Sequence, residues 1–177
     1  MLEILKYIIP ALVVLLACYL IVQKFLVSET QRKQLALFRE SQNVTLRLRL
    51  QAYERLVLFV ERISPRFILQ RIYDSSMTVA DFQYALTFTI NSEFEHNLSQ
   101  QIYISQGVWE TVKNVKEQEL NMVNRIAQTL NPEAPAKELH TRIMEYVLTV
   151  DGQLPTEVAS IIINQEVRRL LAYGPAE

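Results

Sequence analysis

The sequence predicts an all-α protein: an N-terminal transmembrane helix, a long stalk helix and an antiparallel bundle of four to five helices. Three observations carry this prediction. An uncharged apolar run lies near the N-terminus, apolar residues further on recur at spacings of three and four, and the 177 residues include only three glycines. Average usage would give about 12 glycines. Because tight hairpin turns need positive φ angles, so few glycines disfavour sandwiches and barrels.

The transmembrane helix is predicted from residues 7–22, which read YIIPALVVLLACYLIV and lie between Lys6 and Lys24. Extended to residue 27, this stretch reaches the ~30 Å of a hydrocarbon core at ~1.5 Å per helical residue. We therefore assign residues 1–6 to a short tail and residues 7–27 to a membrane helix.

Two cleaved signals compete with a membrane helix. The apolar run is longer than the core of a usual signal peptide, and no small-residue cleavage site followed by polar sequence is evident. A lipoprotein signal ending at Cys18 is the second rival, because the preceding residues are Leu-Leu-Ala. Cleavage there would leave the apolar residues 19–22 at the new N-terminus, so the membrane helix is preferred and lipidation of Cys18 stays open.

Basic residues close to the helix end predict the orientation. They are more numerous after the apolar run than before it, so the positive-inside rule places residues 28–177 in the cytoplasm and the N-terminus outside. The same side chains are expected to contact anionic lipid headgroups. They are Lys24, Arg32, Lys33 and Arg39.

Residues 28–63 contain neither glycine nor proline, which predicts one long helix. Residues 28–45 are mostly polar and form the predicted juxtamembrane stalk. Residues 46–177 form the predicted bundle domain. Its first helix has an apolar seam that lasts about two heptads, which favours a helix facing a core, with a self-associating stalk as the alternative. The seam residues are Leu46, Leu50, Tyr53, Val57 and Val60.

Four further helices complete the predicted bundle. Before them, residues 65–77 form a connector in which a short helix is expected over residues 67–72. Thr78 is the expected N-cap of the next helix, with Asp81 three residues later in a variant capping box. That helix is expected to keep one apolar face as far as Ile102: Val79, Phe82, Leu86, Ile90, Phe94, Leu98 and Ile102.

Gly107 is expected to break the chain before the next helix, which ends at Asn131-Pro132. A following helix carries Leu139, Ile143, Val147 and Val150 and ends at Asp151-Gly152. The last begins at Pro155, carries Val158, Ile161, Ile162 and Leu171, and ends at Gly174-Pro175.

Charge is divided along the chain. Residues 28–72 have nine basic and four acidic residues, whereas residues 73–177 have seven basic and 14 acidic ones. Aromatic and arginine side chains do not alternate on one face, and the distal part is acidic. Nucleic-acid binding is therefore not expected.

Catalytic patterns are sparse. Glu93 and His96 form a single Glu-x-x-His motif, whereas a di-iron bundle needs two such motifs and further inward glutamates. Phosphate-binding glycine loops and a GxSxG elbow are absent from the sequence. We therefore expect no catalytic activity, no metal or other cofactor, and no small-molecule substrate.

Residues 48–65 (LRLQAYERLVLFVERISP), residues 93–105 (EFEHNLSQQIYIS) and the Trp109-Glu110 pair carry a family resemblance. They resemble an uncharacterised family of small single-pass membrane proteins from Bacteroidota-type bacteria. The resemblance implies a bacterial inner membrane and supplies no activity. It singles out a polar set for attention: Tyr53, Glu54, Arg55, Glu61, Arg62, Glu95, His96, Asn97, Gln100 and Gln101.

The polar set is expected to form a polar layer that fixes the register of two bundle helices. The alternative is that it forms an interaction surface. Trp109 is most simply a core anchor at a helix start, although tryptophan is also favoured at interfaces. The expected function is a membrane-anchored scaffold or adaptor whose cytoplasmic bundle binds a protein partner or a second copy of itself. The alternative is an accessory subunit of a larger envelope or transport complex, and a metal-dependent enzyme is the weakest hypothesis.

Overall fold

The computed structural model describes residues 2–149 and 152–172, with side chains from residue 14 onward except residues 27 and 28. These residues form helices and no β-strand, which confirms the all-helical fold class. The helices are α1 (Leu2–Ile63), α2 (Pro65–Ile72), α3 (Val79–His96), a 3₁₀ helix (Leu98–Ile102), α4 (Gln106–Ala127), α5 (Ala136–Thr149) and α6 (Pro155–Ala172). The expected helix ends at Asp151 and at Gly174-Pro175, and the expected apolar residue Val150, lie outside the described residues.

The chain divides into two compact units, Met1–Arg47 and Leu48–Glu177. In the first unit, the large apolar side chains described between Val14 and Leu26 are all more than half exposed. Helix α1 is long and apolar enough to cross a membrane. Signal sequences near an N-terminus meet the same criteria of length and composition. The four side chains expected at lipid headgroups are exposed: Lys24, Arg32, Lys33 and Arg39.

The second unit contains the hydrophobic core, to which α1 contributes its last three turns. Burial recurs every three or four residues there, as one helix face against a core requires. The buried α1 residues are Ala52, Tyr53, Leu56, Phe59, Val60 and Ile63. Of the expected seam, Tyr53 and Val60 are buried, while Leu46, Leu50 and Val57 are only partly buried. The buried face of α1 is thus centred on Leu56 and Phe59, and it is rotated slightly about the helix axis from the seam that the sequence predicted.

The start of α3 is fixed by the capping box that the sequence predicts. The Thr78 hydroxyl accepts a hydrogen bond from the Asp81 amide at 3.2 Å, and the Thr78 amide donates to the Asp81 carboxylate at 3.1 Å. The Thr78 hydroxyl also donates to the Asp81 carboxylate at 2.8 Å, and this hydrogen bond, followed by that from the Thr78 amide, holds the pKa of the Asp81 carboxyl below its usual value. From this start, α3 buries Val79, Phe82, Leu86 and Ile90.

The end of α3 corrects the sequence prediction, because the helix stops at His96 and does not continue to Ile102. The side-chain amide of Asn97 donates to the Glu93 carbonyl oxygen at 2.8 Å, and a 3₁₀ helix follows. Leu98 and Ile102 are therefore exposed. A local side chain that satisfies the last carbonyls competes with the next helical turn.

Two further expectations were wrong in detail. Gly107 lies inside the first turn of α4, which begins at Gln106, and is not a break. On α6 the buried face contains Thr156, Ala159 and Ile163, whereas Val158, Ile161 and Leu171 are exposed and Ile162 is partly buried. The small side chain of Ala159 is fully buried on α6, and α6 packs on α4. Val158, Ile161 and Leu171 therefore remain on the outer side of α6.

Candidate functional site

A groove with a volume of about 450 Å³ lies between the C-terminal part of α1 and the second half of α3. We call it the α1–α3 groove. It combines apolar and charged side chains, which distinguishes it from the core. Its lining residues are Arg55, Leu58, Phe59 and Arg62 from α1, and Phe88, Thr89, Ser92, Glu93, His96 and Asn97 from α3 and its C-cap.

Helix periodicity brings these residues together. On α1 the lining positions are 55, 58, 59 and 62, and on α3 they are 88, 89, 92, 93 and 96. Residues three and four apart lie on one face of a helix, so each helix presents one continuous strip to the groove.

Glu93 is the central anion of the groove. Its carboxylate pairs with Arg62 at 3.3 Å and with Arg71 of α2 at 3.4 Å. Its side chain is 18% exposed, whereas that of Arg62 is 58% exposed. Two guanidinium groups therefore share one carboxylate, and Arg55 makes no ion pair among the described residues. The groove keeps a positive charge that its own carboxylate does not neutralise.

His96 and Asn97 line the groove at the C-terminal end of α3. The Nδ1–H of His96 donates to the Ser92 carbonyl oxygen at 2.6 Å, and the Asn97 amide donates to the Glu93 carbonyl oxygen. Both side chains thus complete the last turn of α3. Since Glu93 is paired with two arginines, the Glu-x-x-His motif serves in ion pairing and capping. The part of the chain that the structure describes contains no cluster of three His, Cys, Asp or Glu side chains suited to a metal ion.

Apolar side chains at the groove are unusually open to solvent. Leu58 is 50% exposed and Phe88 is 60% exposed. Phe88 stacks on Tyr84 with ring centroids 6.0 Å apart and an interplanar angle of 23°. Exposed aromatic side chains flanked by arginines are the residue types that anchor protein–protein interfaces.

Trp109 belongs to an aromatic stack beneath the groove. Its ring lies parallel to that of Phe94 with centroids 5.3 Å apart, and Phe94 in turn packs on Phe59. The ammonium of Lys116 lies 5.1 Å from the Phe94 centroid. Trp109 thus ties the start of α4 to α3.

The remaining members of the polar set lie outside the α1–α3 groove. The Tyr53 hydroxyl is buried and accepts a hydrogen bond from the Ser105 amide at 3.3 Å. Glu61 lines a shallower cavity with Arg62 and Arg71. The side-chain amide of Gln100 donates to the neighbouring Ser99 hydroxyl at 3.2 Å. Glu54, Glu95 and Gln101 are exposed, as is Glu61. Four members of the set therefore line the groove: Arg55, Arg62, His96 and Asn97.

Sequence reasoning missed Glu119, which is 2% exposed in α4. Its Oε2 atom has no hydrogen-bond partner among the described residues. Burial without a compensating charge raises the pKa of this carboxyl from 4.5 to about 8. The sequence does contain a signal for this burial. Glu119 lies four residues after Val115 and four before Val123, which places it on the apolar face of α4, and both valines are buried.

The fold and the groove define a small all-helical protein with an arginine-flanked apolar groove and an N-terminal helix able to cross a membrane by length and composition. The family described as "Family of unknown function (DUF7935)" matches residues 1–170, and the chain therefore belongs to that family. Comparisons with curated proteins and with solved structures find no match.

Proposed function

We propose that the protein is a membrane-anchored helical adaptor whose α1–α3 groove binds an acidic amphipathic segment of a protein partner. The observation that carries the proposal is the groove itself. The exposed Leu58 and Phe88 line it together with Arg55 and Arg62. The inferred occupant has an apolar strip for the two exposed side chains and carboxylates for the two arginines.

Membrane attachment is supported by the exposed apolar side chains of the first unit. Nine large apolar residues between Val14 and Leu26 are between 54% and 68% exposed, which is costly in water and favourable in lipid. The basic side chains after this stretch favour a cytoplasmic location for the second unit. We infer a bacterial inner membrane from the resemblance described above.

Charge complementarity selects the partner's chemistry. Arg55 has no ion pair among the described residues, and Arg62 shares Glu93 with Arg71. A carboxylate from a partner would pair with Arg55 without displacing an existing bond. Arginine, with its planar five-donor guanidinium, is well suited to bidentate pairing of that kind. An acidic helix whose apolar residues recur every three or four positions would place both groups along the groove.

A site-specific photo-crosslinking experiment in native membranes tests this function. A photoreactive residue at Phe88 is expected to capture one defined partner, whereas the same residue at Leu148, which is exposed on α5, is expected to capture none. The purified partner should bind the full-length chain, and Arg55→Glu should weaken that binding by about tenfold. The matched charge reversal Arg142→Glu, on α5, should leave binding unchanged.

Thermal unfolding distinguishes an interface from a structural role. Because Arg55 is exposed and makes no ion pair among the described residues, Arg55→Ala should not change the unfolding midpoint. An equal capture from Phe88 and Leu148, or a lowered midpoint with unchanged partner binding, would contradict the proposal. Capture only from positions within residues 14–26 would instead favour an accessory subunit that packs through its membrane helix.

A further inference from the structure

A second cavity of about 430 Å³ lies away from the α1–α3 groove. We call it the Glu119 cleft. Its walls come from the start of α2, the middle of α4, α5 and the start of α6. Its apolar lining residues are Pro65, Met122, Ile126, Leu154 and Pro155, and its polar lining includes Glu119 together with the exposed side chains of Gln118, Asn121 and Gln153. Its volume falls within the range of about 300–1,000 Å³ that small-molecule sites occupy.

Glu119 distinguishes this cleft from an ordinary gap between helices. The residue is 2% exposed, lines the cleft, and has a carboxylate oxygen without a partner among the described residues. The Thr156 hydroxyl, next to the lining Pro155 but not itself in the lining, is also buried and has no hydrogen-bond partner in the part of the chain that the structure describes. Most buried polar atoms in proteins are hydrogen-bonded, so two such atoms on neighbouring helices require an explanation.

We propose that the Glu119 cleft is a binding site for a small organic amine, whose ammonium group pairs with the Glu119 carboxylate and whose apolar body lies against Met122 and Leu154. The inference is independent of the α1–α3 groove. A cation at the Glu119 carboxylate supplies both the hydrogen bond and the charge that the described residues do not supply. The apolar side chains of Met122, Ile126 and Leu154 in the lining favour an amine with an apolar body over a fully hydrated cation.

The charges around the cleft favour a cation over an anion. Besides Glu119, the charged or titratable groups that line it are Arg125 of α4 and Tyr146 of α5, and both side chains are exposed. An anion placed at Arg125 would replace water at an exposed group and would leave the buried Glu119 oxygen without a partner. An ammonium group at Glu119 satisfies the group for which burial is most costly.

Ligand binding should be coupled to proton release. Since the pKa of Glu119 is raised to about 8, its carboxyl is mostly protonated at neutral pH in the empty cleft. An ammonium ligand favours the carboxylate, so each binding event releases close to one proton. The apparent affinity should therefore rise by about tenfold between about pH 6 and about pH 7, as linkage requires below the pKa.

Three probes of the same shape test the proposal on the full-length chain in mild detergent: benzylamine, benzyl alcohol and benzoate. Calorimetry is expected to show benzylamine binding at least about tenfold more tightly than the other two. Titrations in two buffers of different ionisation enthalpy should count the released proton. Glu119→Gln should weaken benzylamine binding by about tenfold, abolish proton release and leave benzyl alcohol unchanged. The control Glu117→Gln, at an exposed position of α4, should behave as wild type.

A second variant protects the test against misfolding. Met122→Trp should fill the cleft from a partly buried position and remove benzylamine binding while Glu119 remains. Helical circular dichroism should confirm that both variants are folded. Equal binding of benzylamine and benzyl alcohol, tighter binding of benzoate, benzylamine binding that persists in Glu119→Gln, or no binding of any probe to the wild type would each overturn the proposal.

Discussion

The buried carboxyl of Glu119 makes stability depend on pH in a direction opposite to that of most carboxylates. Its pKa is about 8 in the folded chain and has the ordinary value of 4.5 once unfolding exposes it. Between these two values the folded state holds a proton that the unfolded state has released. The contribution of Glu119 is therefore fully present below about pH 4.5 and is lost as the pH rises through about 8.

The magnitude follows from the separation of the two pKa values. Each pKa unit corresponds to about 1.36 kcal/mol, so a rise from 4.5 to about 8 is worth at most about 5 kcal/mol of unfolding free energy. That is a large fraction of the stability of a typical domain, about 5–15 kcal/mol. Glu119→Gln removes the titration and keeps a side chain of similar shape.

Urea unfolding followed by the fluorescence of Trp109, the only tryptophan, measures this effect in the full-length chain. Trp109 stacks on Phe94 within the second unit and therefore reports on its core. The wild type should lose several kcal/mol relative to Glu119→Gln between about pH 5 and about pH 9, whereas Glu117→Gln should follow the wild type. Parallel pH profiles for wild type and Glu119→Gln would refute the reasoning.

Three other predictions concern local contacts and orientation. Thr78→Ala should lower the unfolding free energy by about 1 kcal/mol because it removes the α3 cap. Ser75→Ala, at an exposed turn position, is the control, and equal stability of the two variants would contradict the capping role. Glu93→Gln should destabilise the folded chain by about 1 kcal/mol because it breaks two ion pairs, whereas Glu95→Gln at an exposed position should have no effect. Thermal unfolding measures the difference, and equal midpoints for the two variants would refute this role of Glu93. An alkaline phosphatase fused after Glu177 should be inactive in bacteria if residues 28–177 are cytoplasmic, and strong phosphatase activity would reverse that orientation and revive the lipoprotein reading.

Local patterns in the sequence predicted the helical segments well where their signals were strong. The absence of glycine and proline between residues 28 and 63 predicted a continuous helix, which α1 contains. The Thr78 and Asp81 pair predicted the start of α3, because a capping box involves atoms only three residues apart. Pro155 predicted the start of α6 for the same kind of local reason.

Helix ends and faces that depend on neighbours were predicted less well. The apolar spacing through Leu98 and Ile102 suggested a longer α3, but the Asn97 side chain ends the helix and both residues are exposed. On α6, the spacing of large branched residues suggested the wrong face. The small Ala159 is buried instead, on a helix that packs on α4, and hydrophobic pattern alone does not reveal how closely two helices approach.

The sequence by itself determined the helical class, the N-terminal apolar run and the capped start of α3, since each follows from residues within a few turns of one another. Only the tertiary structure decided which polar groups meet. It brought together Arg62 of α1, Arg71 of α2 and Glu93 of α3. It also left the Glu119 carboxylate buried with an oxygen that has no partner among the described residues. The physical reason is that ion pairing and desolvation depend on distances in space, which helix packing sets and local sequence does not.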